Sequence, residues 1–241
     1  MERQAIEKIE ELIKSSYVVE VDGKTYSRHP LEPVAYTPYP TTLKVRNLRG
    51  FCAFINNDID EFIKGTPHVI TVESPRDVSL YSSLDEHKIR ARLVSASVAP
   101  SSFLFGKFMP QSEFAIRLRA QFIDDADDDF HYVLSYTLRI TSNTDVDIAD
   151  DGHSQRVQVR KGTSGALKES TNLKGIVKLT PYRTFKEVKQ PTSEFLLRVQ
   201  SGDDEPEIAL FEADGGMWQQ EAAQNIADYI EALVPDIPVI A

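Results

Sequence analysis

The sequence predicts an α+β fold: antiparallel sheet segments with helices packed at their ends, a central helical hairpin and a C-terminal helix. Three observations point there. Strand-like runs follow one another over short connections between His68 and Val98, as in an antiparallel meander. Two helical periodicities, one through Phe114, Leu118 and Phe122 and one through Phe130, Val133, Leu134 and Leu138, are separated by the acidic run from Asp124 to Asp129. After Asp145 the apolar period becomes two, without a regular strand-helix-strand alternation.

Each element has its own local warrant. Ala5, Ile6, Ile9, Leu12 and Ile13 share one helical face, which predicts an amphipathic first helix packed on something else. Tyr17–Val21, Asp22-Gly23 and Lys24–Ser27 read as strand, tight turn and strand. Pro30, Pro33, Pro38 and Pro40 make the next region an extended connector. Leu43–Arg46 is a short strand, and Asn47 caps a helix expected to carry Leu48, Phe51, Cys52, Ile55, Ile59, Phe62 and Ile63 and to end at Gly65. Strands are expected at His68–Glu73, Asp77–Ser82 and Ile89–Val98. Ser112 is the expected cap of the helix after Pro110, and the aspartates after Asp124 favour the dipole of the next helix.

Beyond that hairpin, strands are expected at Arg156–Arg160, Gly175–Leu179, Phe195–Val199 and Glu207–Phe211. Ser201–Pro206 is a loop, and Met217–Leu233 is a helix stopped by Pro235. The stretch Leu179–Pro191 is bracketed by Pro181 and Pro191 and sets Tyr182, Phe185 and Val188 three apart, with Arg183, Lys186 and Lys189 between them. It reads as a structural joint, with Tyr182 and Phe185 anchored in the core. The expected organisation is 1–144, an N-terminal α+β half with the helical hairpin, and 145–241, a β-rich half with the terminal helix, together forming one compact unit.

Composition narrows the function classes. A chain of 241 residues, 41% hydrophobic and 27% charged, is globular in composition. One cysteine, Cys52, removes an internal disulfide framework and a cysteine zinc site, and its neighbours Phe51 and Phe54 make it a small buried hydrophobe. The charged first residues lack the apolar run of an export signal, and no stretch reaches the length of a membrane span, so no membrane partner is expected. The five histidines, His29, His68, His87, His131 and His153, lack metal-type pairing on a helix.

The aspartates at 145, 147, 150 and 151 do not complete a calcium loop, since Ala149 and Arg156 stand at ligand positions, and they read as a solvated acidic loop. Lys161–Lys168, with two glycines, reads as a mobile hairpin loop and lacks the ending of a nucleotide-binding P-loop. No nucleophile, base and orienting group occur in a recognisable spacing, so no catalytic residue, metal or cofactor is expected.

Charge segregation is the strongest functional lead. Between His153 and Gln190, nine bases face two acids, a net of +7 that leaves −17 on the rest of a chain whose formal charge is −10. Arg156, Arg160, Lys161, Lys168, Lys174, Lys178, Arg183 and Lys186 are the candidate binding residues for nucleic acid or an anionic nucleotide. Pairing of the same bases with acidic loops of this chain or of a neighbouring subunit is the competing reading.

The phrases Pro181-Tyr-Arg-Thr-Phe-Lys-Glu-Val-Lys-Gln-Pro191, Ser193-Glu-Phe195 and Ala209-Leu-Phe-Glu-Ala-Asp-Gly-Gly-Met-Trp218 resemble a phage and prophage family of unknown function typified by YfdQ. The likeness extends to the segment from Phe105 to Phe114 and covers most of the chain. It implies a bacteriophage origin and expression in the bacterial cytoplasm, and it carries no catalytic residues. The resulting expectation is a non-enzymatic accessory protein, self-associating, that binds nucleic acid in support of phage replication or recombination. A counter-defence protein that sequesters a host nucleotide signal or blocks a host defence protein, and a virion component, are the rival expectations.

Overall fold

Local signals and long-range pairing combine into an α+β architecture in which helices cover mixed and antiparallel sheets. The computed structural model describes residues 2–21, 24–27, 40–61, 63–85, 88–140, 144–150, 155–161 and 167–241, with side chains for 3–12, 40–61, 63–85, 88–140 and 173–241. The expected turn at Asp22-Gly23, most of the proline connector and Phe62 lie outside the described residues.

The chain divides into two compact units, 1–39 and 40–241. In the first, helix α1 (Glu2–Tyr17) is followed by strands β1 (Val18–Val21) and β2 (Lys24–Ser27), which pair antiparallel. Its apolar residues Ile6, Ile9 and Leu12 are exposed, contrary to the expectation of a packed face.

The second unit begins with β3 (Leu43–Val45) and helix α2 (Leu48–Asn57). Asn47 caps α2 by accepting the Gly50 N–H at 2.7 Å, as its side chain predicts. The helix stops at Asn57, well before Gly65, because Asp58 turns left-handed at φ 45°. There its carboxylate accepts the N–H groups of Ile63 at 2.8 Å and Lys64 at 3.2 Å. Ile59, expected on the buried face, is therefore exposed.

Strands β4 (His68–Ser74), β5 (Asp77–Ser82) and β6 (Arg92–Ser97) form the expected antiparallel meander. Two parallel partners extend it: β3 runs beside β6, and the C-terminal strand described below runs beside β4. Met109–Pro110 forms β7, and helices α3 (Gln111–Gln121) and α4 (Phe130–Arg139) form the predicted hairpin. Ser112 does not cap α3. Its hydroxyl donates to Glu205 at 2.7 Å, and the same carboxylate takes the Ser112 N–H at 3.3 Å, so the cap comes from the loop 201–206.

Strands β8 (Thr144–Asp150), β9 (Gln155–Lys161) and β10 (Leu167–Leu173) form a separate three-stranded sheet in the order β10-β9-β8. Strands β11 (Ile176–Leu179), β12 (Ser193–Gln200) and β13 (Glu207–Glu212) then join β7 in a four-stranded sheet. Elements from both sides of 144 thus share one sheet. Helix α5 (Met217–Leu233) matches the predicted bounds, and β14 (Val239–Ile240) pairs with Ile70 and Thr71.

Two cores fill the second unit. One gathers α2, the meander and α5 around Phe51, Ile70, Leu80, Val94, Ile226 and Ile230. The other gathers α3, α4 and the four-stranded sheet around Phe114, Leu118, Val133, Phe195, Leu197 and Ile208. Residues 179–191 serve both, since Phe185 and Val188 enter the first core and Leu179 the second. Tyr182, expected to be an anchor, is instead 39% exposed. Cys52 is buried, and burial, with the Glu187 carboxylate nearby, pushes its thiol pKa up to about 11, so it packs as a small hydrophobe.

The joint is held by one buried amide. Gln190 Oε1 accepts the N–H groups of Arg183 at 3.0 Å and Thr184 at 3.2 Å, while its Nε2 donates to the carbonyls of Phe185 at 2.8 Å and Val188 at 3.2 Å. Replacing Gln190 by leucine leaves buried backbone groups without partners and lowers the unfolding free energy by roughly 3 kcal/mol, measured by chemical denaturation. Asp58 supplies a pH-dependent contribution, because the Ile63 N–H holds its pKa below the ordinary 3.8. That stability is fully present above the unfolded value and is lost as pH falls through the lower folded one. The Tm difference between wild type and Asp58→Asn is expected to shrink progressively on acidification below pH 3.8.

Candidate nucleic-acid interface

The basic segment divides between a sheet and a joint. Period-two alternation makes β9 a strand, and β8 follows from Val146 and Ile148 alternating with aspartates. Residues 144–150, expected as an acidic loop, are therefore a strand paired along β9. Of the expected loop from Lys161 to Lys168, residues 162–166 lie outside the described residues, Lys161 ends β9, and Leu167 and Lys168 belong to β10.

Register places the four bases of this sheet. Arg156 stands opposite Ala149 on one side and Asn172 on the other, and Arg160 opposite Asp145 and Leu167. Lys161 is opposite Thr144, and Lys168 falls at the register shift between Leu167 and Glu169. Arg160, Lys161 and Lys168 thus gather at one end of the sheet. At the other end, Leu173 is buried in the core with α4.

The remaining bases are tied to the body of the fold. Lys174 Nζ binds both carboxylate oxygens of Asp129, at 2.7 and 2.6 Å, and the Lys178 N–H donates to the same carboxylate at 2.8 Å. A reciprocal bond from the Asp129 N–H to the Lys178 carbonyl, 2.9 Å, fastens β11 to the start of α4. Lys178 Nζ lies 3.7 Å from Glu194. Asp128 accepts the Phe130 N–H at 2.7 Å and the Thr180 hydroxyl at 3.2 Å, and burial raises its pKa. The acidic run thus fastens β11 and the residues flanking it to the start of α4, beyond the dipole effect expected of it.

Arg183, expected on an exposed positive face, is a core residue at 4% exposure. Its Nη1 binds Glu212 at 2.8 Å, its Nη2 donates to the Ser193 hydroxyl, and its guanidinium lies 4.1 Å from the Trp218 ring centroid. Phe105 and Phe195 stand on the same cation at 5.8 and 5.6 Å. Burial lowers its pKa, against the opposing pull of Glu212 and Asp214. A desolvated guanidinium held by a carboxylate and three rings is unavailable to an external phosphate. Lys186 remains exposed, with its ammonium 5.8 Å from the Tyr182 ring.

Sequence reasoning missed Glu212, Ser193 and Trp218 as partners of Arg183. One signal was present: in an extended segment Arg183 and Phe185 fall on the same side, and Phe185 is buried. The partners themselves come from β12, β13 and α5, whose approach no local pattern announces.

Lys178 lines a cavity of about 470 Å³ with Trp218, Met217 and Glu221. The cavity of about 610 Å³ between the end of α2 and the C-terminal tail holds His68 and Lys64, neither of which belongs to the basic segment. No protein-family model, curated protein or solved structure matches the chain.

The Arg183 cluster is testable through its indole, because the chain contains one tryptophan. Arg183→Lys loses the planar contact with Trp218 and one of the two bonds to Glu212 and Ser193. The expected outcome is a loss of about 2–4 kcal/mol in stability and altered tryptophan emission in the native state. Equilibrium unfolding followed by fluorescence measures both.

Proposed function

We propose that this chain is a non-enzymatic bacteriophage accessory protein that binds nucleic acid through the basic strand β9 and the adjoining end of β10, in support of phage replication or recombination. The observation that carries the reading is the placement of Arg156, Arg160, Lys161 and Lys168 on one antiparallel sheet, three of them at one end. Bases set along a strand can track a phosphate backbone. A small anionic nucleotide would need several of these bases around one cavity, whereas a polymer is met by bases spread along strands. Phage origin, action in the cytoplasm of the infected host and self-association belong to the same proposal and rest on the sequence phrases around Pro181–Trp218. No helix among the described residues is long and apolar enough to cross a membrane.

The assignment separates the eight bases into two groups that a salt series can distinguish. Gel-shift titrations with single- and double-stranded DNA are run between about 50 and about 200 mM salt. Wild type is expected to bind with an affinity that falls steeply with salt, and the Arg156→Ala, Arg160→Ala, Lys161→Ala, Lys168→Ala variant to lose about 0.9 units of log-log slope per phosphate contact removed on duplex DNA. Arg183→Met tests the other group and leaves the slope unchanged. Absence of salt-sensitive binding at micromolar protein contradicts the proposal.

A further inference from the structure

The five-stranded sheet, β14-β4-β5-β6-β3, has a second face that the cores do not use. Ile70, Val72, Val78, Leu80, Val94 and Ala96 point into the first core. On the opposite side, register aligns Thr71 with Ser79, Ser79 with Ser95, and Ser95 with Lys44, one row crossing β4, β5, β6 and β3. Adjacent strands lie about 4.8 Å apart, so the two serines are neighbours and Lys44 stands next in the row.

The acids beside this row are already occupied. Glu73 Oε1 accepts from Arg92 Nη2 at 2.6 Å and from the Tyr81 hydroxyl at 2.5 Å. Asp77 accepts the Ser74 hydroxyl at 2.7 Å on one oxygen and the Ser97 hydroxyl at 2.8 Å on the other. These bonds brace the side chains of the surrounding strands. They leave a surplus of donors. Arg92 spends Nε and Nη2 on Tyr81 and Glu73, which leaves Nη1. Ser79 is 1% exposed, and its buried hydroxyl has no hydrogen-bond partner. A depression of about 250 Å³ is lined by Ser79, Ser95, Lys44, Arg92, Glu73 and Asp77.

A buried hydroxyl without a partner, beside an ammonium and a guanidinium, calls for an acceptor that the protein itself does not supply. We infer that this depression binds one phosphate group, with Lys44, Arg92, Ser79 and Ser95 donating to its oxygens. The carboxylates then select the ligand. Hydrogen phosphate carries an O–H that the acceptor-only oxygens of Asp77 and Glu73 can receive, whereas sulfate at neutral pH has no proton to give and meets only their negative charge. The volume admits a single phosphoryl group with a small organic substituent, so the source is either free phosphate or a phosphomonoester of a small metabolite. The site is separate from β8–β10, and its occupancy does not depend on nucleic-acid binding by that sheet.

Thermal unfolding of the full chain in chloride, sulfate, inorganic phosphate and ribose 5-phosphate, at matched ionic strength and about pH 6, where roughly half of a phosphomonoester still carries its proton, tests the inference. Phosphate is expected to raise Tm in a saturable manner, and sulfate to match chloride. Ser79→Ala and Lys44→Gln each weaken the phosphate effect about tenfold or more on the concentration axis. In chloride, Ser79→Ala unfolds at or above the wild-type temperature, because the hydroxyl it removes has no partner, and this checks that the variant folds. An equal response to ribose 5-phosphate identifies a phosphomonoester site, and a response to inorganic phosphate alone identifies a free-ion site. No phosphate-specific shift, an equal shift in sulfate, or a shift unchanged in both variants overturns the inference.

Discussion

The four hydrogen bonds of the buried Gln190 amide set the shape of residues 183–190, and through that loop they set how the two cores of the second unit meet. A buried primary amide has two donor and two acceptor sites, and here all four are used within one turn of chain. The loop then reaches outward. The Thr184 hydroxyl donates to the Pro75 carbonyl at the β4–β5 turn, Glu187 accepts the Leu48 N–H at the start of α2, and Asn225 of α5 donates to the Lys189 carbonyl. The Tyr182 N–H donates to the carbonyl of Gln121, the last residue of α3, and the Thr180 carbonyl accepts the N–H of Ile123 just beyond it. One short segment therefore contacts elements of both cores, and the prolines at 181 and 191 limit the alternatives open to it.

Arg183 extends the same connection by electrostatics. Its cation sits among Phe105, Phe195 and Trp218, rings that come from the second core and from the start of α5. Burying a guanidinium is unfavourable unless charge and hydrogen bonds are returned to it, and Glu212 and Ser193 return them. Lys174 is similarly drawn to Asp129 and Lys178 to Glu194. The excess of positive charge in the segment thus has two origins. Part of it balances acids that the fold brings to the joint, and part lies on β9 and β10, where Arg160 alone of the arginines stands opposite an aspartate. The proposed interface rests on that second part.

Much of the fold was legible because its signals are local. Asn47 caps α2, the meander follows from three closely spaced strand runs, and the apolar spacing from Trp218 to Ile230 locates α5. What escaped depends on partners distant in sequence. The two residues of β14 form a strand only because β4 offers them a free edge. The aspartates of β8 disguised a strand that needs β9 beside it, and the apolar residues after Asn57 continued a helical pattern that Asp58 ends by a left-handed turn. The site was legible to a smaller degree: charge segregation located β9, while the burial of Arg183 depends on three elements that meet only in the folded chain. Ser79 and Lys44 carried no signal at all, since their alignment arises from the pairing of β5, β6 and β3.

If the joint governs the second unit, its two cores open together. Native-state hydrogen exchange of β5, in the first core, and β12, in the second, measures this directly. The expected result is that the slowest amides of Asp77–Ser82 and of Ser193–Gln200 share one opening free energy and the same denaturant dependence. Opening free energies that differ by more than about 2 kcal/mol, with separate denaturant slopes, would show that the cores unfold independently and would contradict the role assigned to Gln190 and Arg183.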